Sequence, residues 1–232
     1  METMETLMKI MLVVHVITGF TGFFVAPVAL AVKKGGNAHR QWGKVFFWSM
    51  TGAAASALVM APYKHNWFLT LVAVFSFYMA FSGYRAVYRK KVRSRSEIPL
   101  IDWVISGLNA LFAVGLLILG ITLLPDAFGY ISIVFGLIGL SYTRQDLHFF
   151  QRPVENKKQW LVNHITGMMG GYIAAVSAFS AVNLGFSWMP TVLQWLWPTM
   201  IGVPVIFYFT SQYRRHRKSG RSDHERYEIR NS

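Results

Sequence analysis

The chain contains no cysteine, which excludes disulfides, thiolate metal ligands and cysteine nucleophiles but says little about the compartment. Several enzymatic signatures are also missing. There is no Gly-x4-Gly-Lys-Ser/Thr loop to cradle nucleotide phosphates, no His-Glu-x2-His zinc helix and no Gly-x-Ser-x-Gly nucleophile elbow. No serine triad is visible. Charge is scarce as well: 14% of the 232 residues are charged, against 53% hydrophobic.

What is present is a series of long apolar runs, recurring at intervals of roughly thirty residues, which places the chain in the membrane class. A segment needs about 20 apolar residues to cross the hydrocarbon core. Seven qualify: Leu7–Val32, Trp42–Pro62, Trp67–Tyr88, Leu100–Leu124, Ala127–Thr143, Trp160–Val182 and Thr191–Ser211. Lipid offers no partner to free backbone groups, so each segment is expected to be a helix; barrel strands would alternate instead. The expected fold is therefore all-α, a polytopic membrane bundle of seven transmembrane helices. It forms one domain over residues 1–211, followed by a basic tail over residues 212–232. The first segment reads as a span rather than a cleaved signal peptide: it is too long, and its only Ala-x-Ala-like stretch directly precedes Lys33-Lys34.

The formal net charge of +13 raises the question of nucleic acid, but the basic residues flank apolar segments and form no recognition helix. Of the 23 Lys and Arg, all except Lys9 and Lys64 lie in or beside the turns after segments one, three and five, or in the tail. By the positive-inside rule that side is cytoplasmic and the N-terminus lies outside. Such an asymmetry fits the cytoplasmic (inner) membrane of a bacterium. Trp42, Trp67, Trp103, Trp160 and Trp188 fall near segment ends, where amphipathic rings prefer the interface. The tail, with Arg214-Arg215-His216-Arg217-Lys218, is expected to hold anionic lipid at roughly 1 kcal/mol per basic residue, as the basic turns would. Its alternative is a regulatory or partner-binding role.

Segments two and six are rich in small residues, Gly52 to Ala57 in one and Gly167, Gly171, Ala175 and Ala178 in the other, which let helix backbones approach closely. Pro198 and Pro204 are expected to kink the seventh segment, since each removes a backbone donor.

The candidate chemistry starts in His15–Gly43. This stretch reads His15-Val-Ile-Thr-Gly19, an apolar run broken by Pro27, Lys33-Lys34-Gly35-Gly36 and His39-Arg40-Gln-Trp-Gly43. An imidazole inside a membrane segment is costly, so His15 is a functional candidate, while His39 is placed in the short basic turn that follows. A later stretch runs from Trp160-Leu-Val-Asn-His164 through Gly170-Gly171-Tyr172 to Asn183, and then Pro198-Thr199-Met-Ile-Gly202-Val-Pro204. Together these resemble a broad group of bacterial multi-pass membrane proteins of unknown function. The resemblance implies an integral membrane protein and no particular reaction.

His15 lies about 12 Å below the outer boundary, at 1.5 Å per residue, and His164 about 7 Å above the cytoplasmic one. Each is followed by small residues on its own helix face: Gly19, Gly22 and Ala26 after His15, and Gly167, Gly171 and Ala175 after His164. One reading is a haem or metal site, with imidazole as axial ligand and glycines making room for a flat macrocycle. The other is helix packing, each His bonded to a neighbouring helix. In a core about 30 Å thick the two depths leave roughly 10 Å between these histidines, too far for one iron.

A cytoplasmic-side cluster is the better candidate. It joins His164 and Asn163 to Arg144-Gln-Asp146-Leu-His148, with His39-Arg40 and Asp102 at similar depth. His148 and His164 are expected as ligands, Asp146 or Asp102 as the carboxylate fixing an imidazole tautomer, and Arg40 or Arg144 as partner to a haem propionate. The bland alternative makes Arg40, Asp102, Arg144 and Asp146 boundary charges that pair with one another. His65 reads as a solvated turn residue, and His216 and His224 as tail residues.

The first functional expectation is a membrane redox or haem-associated protein holding haem b on His148 and His164, with His15 as an outer ligand or quinone-side proton group. It resembles b-type cytochrome bundles at the level of fold and histidine placement, which does not decide function. The second is a small-solute or proton-coupled transporter using His15 and His164; no internal repeat supports it. The third is a metal-dependent membrane hydrolase working on lipid, with zinc ligands drawn from His39, Asp146, His148 and His164, though the sequence shows no clear third ligand. Seven-helix zinc amidases of membranes carry His-x3-His near their last helix, and that pair is absent.

Overall fold

The computed structural model describes residues 2–153, 158–185 and 187–215; the tail beyond, with His216 and His224, lies outside the described residues. The described chain forms seven α-helices and no strand: α1 (Glu2–Ala31), α2 (Asn37–Tyr63), α3 (Trp67–Ala86), α4 (Leu100–Thr122), α5 (Ala127–Gln151), α6 (Gln159–Phe179) and α7 (Thr191–Arg215). All seven are long and apolar enough to cross a membrane. A π-helical turn, Ser180–Leu184, continues α6.

Helix ends follow local chemistry. At the start of α3 the Asn66 side chain accepts the Leu69 amide at 3.0 Å, satisfying one of the donors that a helix N-terminus leaves free. Two of the boundaries that differ from the apolar pattern move site residues. α2 starts at Asn37, so His39 and Arg40 sit in its first turn rather than in the preceding loop. α5 runs two turns past Thr143, through Asp146 and His148 to Gln151. Hydropathy ends that segment early because of its polar residues. The helix nevertheless continues, because Asp146 finds a buried cation and Phe149 and Phe150 pack with Ile98, Val92 and Trp103.

α3 is the axis of the bundle, touching α2, α4, α5 and α6. Its most apolar stretch is 56% buried, against 11% for α1 and 17% for α7, which present most of their surface outward. The main core joins Phe68, Val72, Phe75 and Tyr78 of α3 to Leu116, Ile131, Phe135, Tyr142, Ala174 and Trp195. α1 packs mainly on α2 and is the least enclosed element.

α3 and α6 approach each other backbone to backbone. A Cβ on Gly83 would lie 2.5 Å from the Met168 amide nitrogen, and one on Gly167 would lie 2.5 Å from Gly83 Cα. Only glycine permits this backbone-to-backbone contact. Gly171 continues it against Ala80.

Candidate functional site

The α3–α6 contact positions a histidine. His164, in the second turn of α6, donates its Nδ1–H to the Gly83 carbonyl of α3 at 2.9 Å. A carbonyl only accepts, so this bond fixes the tautomer and leaves Nε2 with its lone pair. His39, in the first turn of α2, is held the same way: its Nδ1–H donates to the Ala29 carbonyl of α1 at 2.9 Å. Both helices begin at the basic end of the bundle, which puts the two rings at one level. Their centroids are 6.1 Å apart, with planes at 78°.

Both rings line a cavity of about 310 Å3 between α1, α2, α3 and α6, at the lower end of the roughly 300–1,000 Å3 range of small-ligand sites. Its walls are largely apolar and aromatic, among them Ala26, Leu30, Phe46, Tyr84, Met168 and Tyr172. Tyr84 is clamped by stacking on Phe47, at 4.2 Å between centroids, and shares a 3.0 Å hydroxyl contact with Tyr88. Gly43, one turn beyond His39, faces Met168, one turn beyond His164, and a Cβ there would meet Met168 Cε at 3.9 Å. Arg40 and Lys44 line the same cavity and are exposed, whereas no carboxylate lines it. The cavity therefore offers two imidazole nitrogens, a flexible thioether wall and cations at its margin.

Behind α3 lies a buried charge network. Arg85 grips Asp102 with two hydrogen bonds, Nε to Oδ1 at 3.0 Å and Nη2 to Oδ2 at 2.8 Å. Arg89 lies 3.5 Å from Asp102 and 3.6 Å from Asp146, with its side chain 2% exposed. Asp146, fully buried, accepts from Tyr78 at 2.9 Å, from Ser82 and from Asn163 Nδ2 at 3.0 Å. Two arginines thus face two carboxylates. This pairing is what permits four ionisable groups inside an apolar bundle.

The sequence-derived candidates separate accordingly. His39, Arg40 and His164 come together at the cavity. His148 does not join them: it is exposed, about 200° around α5 from the buried Asp146 at 100° per residue. Arg144 is exposed and does not line the cavity. Asp102 and Asp146 pair with Arg85 and Arg89 rather than with Arg40 or Arg144. No group of three or more His, Asp or Glu converges among the described residues, so His39, Asp146, His148 and His164 do not assemble as one metal cage.

His15 belongs to a different part of the fold. Its Nδ1 donates to the Ala53 carbonyl at 2.9 Å and lies 3.2 Å from Ser56 Oγ, tying α1 to α2. The cavity begins on α1 at Ala26, about 16 Å further along the helix. The small-residue faces also serve packing: Gly22 meets Ser49 and Met50 of α2, and Gly167 and Gly171 meet α3. His65 is an exposed turn residue with φ +52°.

Arg85 and Arg89 are the participants that sequence reasoning overlooked, because both were absorbed into a run of topology-setting positive charge. A signal did exist: they are spaced i, i+4, which puts them on one face of any helix continuing segment three. A comparison with protein-family models, curated proteins and solved structures finds no match to the chain.

Proposed function

We propose that this chain is a haem-associated redox protein of a bacterial cytoplasmic membrane, with His39 and His164 as the two axial ligands of a b-type haem. The observation that carries the reading is the matched orientation of the rings. Each donates Nδ1–H to a backbone carbonyl of another helix, the arrangement that orients a ligating imidazole and raises its basicity. The ring centroids lie 6.1 Å apart, near enough for both imidazoles to serve one bound group.

Arg40 and Lys44, which line the cavity, would neutralise two propionates, and the adaptable Met168 and Met169 side chains would yield to a flat ring. A haem held by His39 and His164 would supply one-electron transfer between ferric and ferrous iron. In this reading the basic end faces the cytoplasm. A lipid-soluble quinone is the proposed electron partner. A second cavity, of about 350 Å3, lies on the opposite face of α6 between α3, α5 and α7. Its Ser141, Gln145 and Thr199 could meet quinone oxygens, and its exposed Leu137 and Val203 face outward, toward lipid. Each of the two stretches that resemble the bacterial multi-pass family would contribute a ligand, His39 from one and His164 from the other.

The test is the absorption spectrum of protein purified in mild detergent, oxidised and then dithionite-reduced. A Soret band with sharp reduced α and β bands, lost in His39→Ala and in His164→Ala, supports the reading. A colourless protein, even after expression with added haem precursor, overturns it. Stoichiometric zinc in the colourless protein would turn attention to metal-ion chemistry on the same two nitrogens.

A further inference from the structure

Asp146 closes a ring of contacts around His164. One oxygen accepts from Asn163, the residue before His164, and the other from Ser82, the residue before Gly83. Gly83 is the residue whose carbonyl holds the His164 ring. The path therefore runs from Asp146 through Ser82 and Gly83 to His164, and back through Asn163 to Asp146. Arg89 fastens onto the same peptide, donating from Nη2 to the Ser82 carbonyl at 2.9 Å and to Ser82 Oγ at 3.1 Å. The Gly83–Gly167 contact allows no slack between the two helices here.

Building on the haem reading above, we propose that Asp146 is a positioning residue that fixes His164 through Ser82 and Asn163 and sets the reduction potential of the metal it ligates. The groups facing Asp146 come from every element around it: Tyr78, Ser82 and Arg89 from α3 and the turn after it, and Asn163 from α6, with Asp102 of α4 on the far side of Arg89. The negative charge of Asp146 would stabilise the ferric state by Coulomb attraction, weakly screened because the group is fully buried. The hydroxyl of Ser82 offsets part of that charge. The His164 ring bonds to Gly83 and not to Asp146, so Asp146 positions the ring through Ser82 and Asn163 and would act on the metal through its charge.

The experiment is a potentiometric titration of the purified holoprotein, in which dithionite supplies the single electron that takes ferric iron to ferrous. In Asp146→Asn the amide can keep contacts with its neighbours while the negative charge goes. The expected result is a tenfold shift of the reduction equilibrium toward ferrous, about 59 mV for one electron, with the α band unmoved. In Ser82→Ala the carboxylate loses a donor, and the midpoint moves the other way. Opposite shifts in the two variants support the proposal; a purely structural network would give none. If Asp146→Asn binds no haem, Ser82→Ala decides the matter alone. A haem-bound Ser82→Ala protein with the wild-type midpoint overturns the role of Asp146 and leaves the haem site standing. A wild-type protein without haem overturns both.

Discussion

His164 reaches across to the Gly83 carbonyl at the level where Gly83 and Gly167 bring α3 and α6 backbone to backbone. The glycines and the histidine work as one device: the close approach brings the carbonyl within hydrogen-bonding range, and the carbonyl fixes which imidazole nitrogen stays basic. Gly83→Ala would push a methyl group into the Met168 amide and the Gly167 carbonyl carbon. Overpacking of this kind typically costs about 1–3 kcal/mol, and here the intruding contact is rigid backbone. Thermal unfolding in detergent should show a lowered midpoint, with loss of any bound chromophore before the helices unfold. Gly19→Ala, where nothing lies within 4 Å, should be silent in the same assay.

Asp102 carries the heaviest ionic load, since it faces both Arg85 and Arg89 while fully buried. Asp102→Ala strips two arginines of their shared counter-charge. Removing one partner of a buried pair costs about 3–5 kcal/mol, so the variant should accumulate poorly and unfold at lower temperature. Arg144→Gln changes an exposed residue outside this network and should leave the unfolding midpoint where it is.

His15 should behave as a packing residue. Its bond to the Ala53 carbonyl joins α1 to α2 far from the cavity. His15→Ala is expected to destabilise the protein by about 1 kcal/mol, the net value of one hydrogen bond, and to leave any haem spectrum unchanged. His148→Ala should leave both properties as they were, because that ring is exposed on α5. Spectra and melting curves of the two variants, recorded side by side, check both statements.

Arg40 and Lys44 are the cations at the cavity. If the cavity holds haem, replacing both by glutamine should weaken its retention and make what remains less sensitive to salt, since exposed charge interactions are the ones that ions screen. Haem loss to an excess of apomyoglobin, followed at low and high ionic strength, measures this directly.

Much of the architecture was legible because the bilayer imposes a simple rule: long apolar runs must be helices. All seven segments are found, with Trp67, Leu100, Ala127 and Thr191 as the first residues of their helices. The two boundary shifts that matter to the site belong to polar stretches, at Asn37 and at Gln151, where helix continuation depends on partners that hydropathy does not see. His164 and Asn163 were legible because a polar group in an apolar segment stands out. His39 was legible as a residue but not as the partner of His164, since that pairing depends on how α2 and α6 sit around α3. Arg89 was hidden for the opposite reason: on a chain read one residue at a time, a buried arginine beside a basic turn looks like any other topology charge.

The most direct measurement of the central claim is the low-temperature electron paramagnetic resonance spectrum of the oxidised protein and of its single histidine variants. If His39 and His164 hold one iron between them, the wild type gives a low-spin ferric signal, and His39→Ala and His164→Ala each convert it to a high-spin signal or lose it. A low-spin signal that survives in either variant would contradict the assignment and place the ligands elsewhere on the bundle.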